Sequence, residues 1–172
     1  AQAAALEVAD LQGLSSVQLQ AIQTDDLAVL GTAQIAGLST EQVVALSSAQ
    51  IIALTTAQVV NLEVEDVAAL STTQVRQLET ADLAVLSTQQ IAALTTDQVS
   101  SLSTAQVVAL TTVQVAALQT NDLQALTATQ IKALETADLV ALTTQQVSAL
   151  SSAQVGALAT EQVAKLSTGQ VV

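Results

Sequence analysis

The 172-residue chain sets 15 acidic residues against only Arg76, Lys132 and Lys165, for a net charge of −12, and contains no aromatic residue, Cys, His or Pro. The charge repels nucleic acid and anionic membranes, and without aromatics no base can stack on a side chain. Thiolate and imidazole chemistry, disulfides and the usual zinc sites are likewise excluded.

Read from the N-terminus, Ala1-Gln2-Ala3-Ala4-Ala5 fills slots four to eight of a partial eight-residue unit. From Leu6 to Leu166 every eighth residue is leucine, with Ile22 the one substitute among 21 positions. The motif L-[ST]-T-x-Q-[VI]-x-A runs around it without insertion or deletion. A period this strict means one small unit stacked many times. Octads are numbered here from Leu6, octad 1 being residues 6–13, and leucine is slot one. The last octad, 166–172, stops one residue short, and neither end is a polar capping unit. With no initiator Met and no signal peptide, the sequence reads as a slice of a longer array.

A continuous helix advances about 80° beyond two full turns in eight residues, so its leucines would spiral and form no stripe. A β-solenoid is the alternative, since Thr, Val and Ile favour strands. Slots one and six, however, have opposite parity in a strand, and five Gly without Pro are too few for its corners. The pattern predicts an all-α solenoid, a superhelix of very short helices, one per octad. Slot six and the next leucine are three apart and share a helix face. The Ser and Thr of slots two and three are N-cap residues, and Ser39-Thr40-Glu41-Gln42 reads as a capping box. Each helix is expected from slot four to the next leucine, with the cap at slot two or three. Neighbouring octads would bury Leu, Val or Ile and the slot-eight alanine, because one short helix is not stable alone.

Slot five holds only Gln or Asp, and the aspartates are Asp10, Asp26, Asp66, Asp82, Asp122 and Asp138. That restriction implies a fixed geometric task. Where slot five is Asp, slot two is Glu or Gln (Glu7, Gln23, Glu63, Glu79, Gln119, Glu135), and slot six is Leu in five of six cases. The exchange predicts that these slots touch and share one space, with Glu79, Asp82 and Leu83 as the example. The Asp octads come in pairs 16 residues apart that recur every 56. One array of 21 octads therefore divides into seven-octad blocks at 6–61, 62–117 and 118–172. Either a block was duplicated, or seven octads complete a whole number of turns, such as two turns of about 3.5 octads.

Runs such as Leu54-Thr55-Thr56-Ala57-Gln58-Val59 resemble octapeptide-repeat arrays of very large bacterial secreted or surface proteins. The resemblance covers essentially the whole chain and implies a bacterial, exported segment with no catalytic residues; a designed consensus array would share the pattern. The densest acids, Asp25-Asp26 and Glu63, Glu65 and Asp66, match no calcium loop and read as capping residues near helix N-termini. No catalytic, cofactor-binding or metal-ligating residue is assigned, and no cofactor. Rows of Thr could suggest ice binding, but capping occupies them. Slots of Ala, Ser, Thr, Val and Gln favour a structural spacer or scaffold over a protein- or glycan-binding module, which would concentrate aromatics and arginines. The expected partners are the neighbouring repeats of the same chain, as a monomer, without nucleic acid. No stretch has the roughly 18–20 uninterrupted apolar residues of a membrane span.

Overall fold

The computed structural model describes residues 5–170, which form twenty short α-helices and no strand. The first is Val8–Gln12 and the last Thr160–Lys165, followed by a 3-10 turn at Thr168–Gln170. The all-α solenoid is thus the architecture, and the β-solenoid is ruled out.

The cap falls at slot two, so each helix starts at slot three, one residue earlier than the sequence suggests. In octad 9, Ser71 Oγ accepts from the Gln74 amide at 3.2 Å, and Gln74 Oε1 accepts from the Ser71 amide at 2.9 Å. This is the reciprocal capping box expected of that spacing. The helix Thr72–Gln77 then stops because Leu78 is extended, at φ −58° and ψ 133°, and Ser71 before it is extended as well. Two extended residues, the leucine and the next cap, make each corner. No described residue has a positive φ, so the corners need no glycine.

The chain divides into two compact units, Ala1–Leu86 and Ser87–Val172. In the first, each helix stacks on the helix three octads later: Ser16–Gln20 on Thr40–Ala45, and Thr24–Ala28 on Ser48–Ala53. The second repeats the arrangement, with Thr112–Ala117 on Thr136–Ala141 and Ala128–Ala133 on Ser152–Ala157. Repeats of one chain therefore pack on each other.

Slots one and six form the core. Leu46, Leu54, Val43 and Ile51 are buried in the first unit, as are Leu118, Leu126, Val115 and Ile131 in the second. Slot eight is different from expectation. Ala45 and Ala53 are half-buried, while Ala69 is exposed. Slot eight lies two residues beyond slot six, about 200° around the helix, and so faces away from the core. Gly37 is the position where a turn comes closest: a Cβ there would collide with the Val8 side chain.

Coverage is directional. Near the start, Leu11 at slot six is already buried, while Gln18 at slot five is exposed; from Gln42 onward slot five is buried. Near the other end, Gln154 and Gln162 are buried, whereas Val155 and Val163 are 45% and 43% exposed. Slot five is therefore covered by the preceding turn and slot six by the following one.

Leu94, at 2% exposure, should lose roughly 2–5 kcal/mol on Leu94→Ala, read from denaturant midpoints. The exposed slot-four change Ala105→Ser should stay within about 0.5 kcal/mol. Equal losses would mean that the core slot is misassigned.

Candidate functional site

Every buried polar side chain among the described residues is a slot-five Gln or Asp, seventeen in all. Burying an amide is costly unless all its groups are bonded, so these side chains mark the chain's concentrated polar chemistry. No described side-chain nitrogen or oxygen is buried without a partner.

The glutamine works at both ends. Its Oε1 caps its own helix, and its Nε2 crosses to the preceding turn. Gln42 Nε2 donates to the Leu11 and Leu14 carbonyls at 2.8 Å each. Gln58 donates to Leu27 and Leu30 at 3.0 and 2.8 Å, and Gln154 to Leu123 and Leu126 at 2.7 Å each. These partners lie 31 and 28 residues back. Each helix N-terminus therefore sits over the junction between the octads four and three before it, so a turn takes between three and four octads. The acceptors lie at the helix C-terminus, where the slot-six carbonyl also takes the amide of the next leucine, as Leu11 does from Leu14 at 3.1 Å. One side chain thus closes the start of one helix and the end of another. Sequence reasoning found the first half and missed the second. The signal was the absence of Glu from slot five: Glu would serve the capping box equally well, but has no N–H for the carbonyls.

Aspartate keeps only the capping half. Asp138 Oδ2 accepts from the Glu135 amide at 2.9 Å, and Asp66 Oδ2 from the Glu63 amide at 3.2 Å. Across the turn it accepts where Gln would donate: Thr112 Oγ1 donates to Asp138 Oδ1 at 2.8 Å, and Thr96 Oγ1 to Asp122 Oδ1 at 2.9 Å. Gln119 of that octad partly replaces the lost donor, its Nε2 reaching the Ala92 carbonyl at 2.9 Å. Slot-seven Gln12 and Gln20 add exposed bonds in the other direction, to the Gly37 and Ala45 carbonyls at 2.7 Å.

Slots two and five do touch, Asp82 Oδ2 accepting from the Glu79 amide at 3.3 Å, but the shared core space needs correction. Asp82 and Leu83 are buried, at 2% and 0% exposure, but Glu79 is exposed and fills no core space. Slot six changes with slot five, Leu following every Asp except Asp66. Asp is one carbon shorter than Gln and Leu one carbon longer than Val, which conserves buried volume. Nothing in the structure explains the choice of Glu at 63, 79 and 135.

The acidic clusters do not converge. Asp25, Glu63 and Glu65 are exposed, while Asp66 is buried. Among the described residues no group of three or more potential metal-ligating side chains forms, and no helix is long and apolar enough to cross a membrane. A polar recess in the second unit is lined by Gln119, Thr120, Asn121, Thr143 and Gln146, but Gln146 Oε1 is held by the Thr143 amide at 2.8 Å.

Gln58→Glu isolates the crossing half of the clamp. The introduced carboxyl retains the cap acceptor but turns an oxygen toward the Leu27 and Leu30 carbonyls, at a cost of roughly 1–3 kcal/mol at pH 7. Those carbonyls favour the protonated form, raising its folded pKa above the unfolded value of about 4.3. The penalty should therefore shrink as pH falls toward about 3.5, measured as the midpoint difference from wild type. A pH-independent difference would place the lost bonds elsewhere.

Neither a curated protein nor a solved structure matches the chain. The family model of the ALTTAQ repeat matches at residues 3–40, 19–56, 75–112 and 131–168, which together cover more than half of the sequence. With the octad, its cap and its clamp all in register with those matches, the chain belongs to the ALTTAQ repeat family.

Proposed function

We propose that the array is a non-catalytic spacer or scaffold segment of a larger, exported bacterial protein. One observation carries this reading: among the described residues, all buried polar side chains are slot-five residues that cap helices or face the adjoining turn. The remaining slots hold mostly Ala, Ser, Thr, Val and Gln with dispersed charges, and form no aromatic or arginine cluster of the kind that dominates binding surfaces. An architecture in which each unit contacts only nearby units can be lengthened without redesign, as a spacer requires. The resemblance to octapeptide arrays of large exported proteins supports the setting. In this reading the segment acts as a monomer, its partners being its own repeats, away from nucleic acid and outside the bilayer.

Deleting residues 62–117, one seven-octad block, should leave the helical signal per residue in circular dichroism unchanged. Loss of helicity throughout the remaining octads would overturn the modular spacer.

Calorimetry with millimolar calcium, magnesium and zinc should show no saturable tight binding. Micromolar calcium affinity would instead make the Asp octads a ligand site.

A further inference from the structure

We infer that the Asp octads are built-in seams, at which the coil opens before it opens elsewhere. In the first unit, octads 5 to 7 are all clamped to the preceding turn, through Gln42, Gln50 and Gln58. Octads 8 to 10 follow with Asp66, Gln74 and Asp82, and only Gln74 donates across, to the Leu46 carbonyl at 3.0 Å. The second unit has the same contrast. Octads 15 to 17 carry Asp122, Gln130 and Asp138, with Gln130 alone donating to a slot-one carbonyl, that of Leu102 at 2.7 Å. Octads 18 to 21 are again fully clamped, through Gln146, Gln154, Gln162 and Gln170.

The chemistry of the exchange sets the direction. A glutamine amide brings N–H groups to carbonyl oxygens, whereas the shorter aspartate side chain has no amide N–H and accepts instead, from its cap amide and from a threonine hydroxyl. At Asp138 one threonine hydroxyl then bridges the turns, where Gln154 supplies three bonds. Buried bonds of this kind differ most in how readily their interface opens locally. Each unit thus holds one weakly tied run, at Asp66 and Asp82 in the first and at Asp122 and Asp138 in the second.

The test uses the absence of native cysteine and the directional coverage of slot six. Val107 and Val115 are both fully buried in the second unit, 31 residues before Asp138 and Gln146 respectively. Thiol labelling of Val107→Cys under native conditions should be about tenfold faster than that of Val115→Cys, since local opening governs access. Fraying from the C-terminal side would act the other way, because Val115 is nearer that end. Adding Glu135→Ser, Asp138→Gln and Leu139→Val to Val107→Cys restores the common octad and should slow labelling to the Val115→Cys rate. Equal rates for the two single variants would overturn the seam, as would a difference that survives the restored octad.

Discussion

The fold depends on one amide group reaching two helix ends at once. A helix of six residues has four free amides at its start and four free carbonyls at its end, so it is nearly all terminus. Water would satisfy those groups if they were exposed, but the coil brings them into its interior. The slot-five glutamine resolves this with a carbonyl oxygen for the cap and an amide nitrogen for the turn beneath it. In Gln74 these functions are carried out by atoms of one planar group, Oε1 on the Ser71 amide and Nε2 on the carbonyls of Val44 and Leu46. Secondary and tertiary structure are thereby closed by the same side chain.

The hydrophobic core is consequently thin and regular. Slots one and six supply it, and each octad offers one face to the turn before it and another to the turn after. Leu11 is buried beside an exposed Gln18, and Gln154 is buried beside an exposed Val155, so the two faces complement each other. Stability of this kind accrues unit by unit, through nearest neighbours, and not through a single central core. Such a design leaves the outer slots free to vary, which they do, from Ala105 to Val113 to Lys132.

Variation inside the clamp has a different meaning. Replacing Gln by Asp preserves the helix start and gives up the donor to the previous turn, with Leu at slot six conserving the packing volume. Helix formation and turn-to-turn adhesion are therefore tuned separately.

The octad period, the helical class, the capping box and the absence of imidazole and thiol chemistry were all legible in the sequence. They follow from local spacing and composition: Ser71 and Gln74 are three residues apart, the distance of a capping box, and leucine recurs every eight residues. The restriction of slot five to Gln or Asp also announced a fixed task there. What the amide nitrogen bonds to was decided only by tertiary structure, because its acceptors are 28 to 31 residues away and the distance depends on how many octads close a turn. The exposure of slot eight and of Glu79 belongs to the same category. Burial reflects which neighbour covers a face, and no spacing within a single octad contains that information.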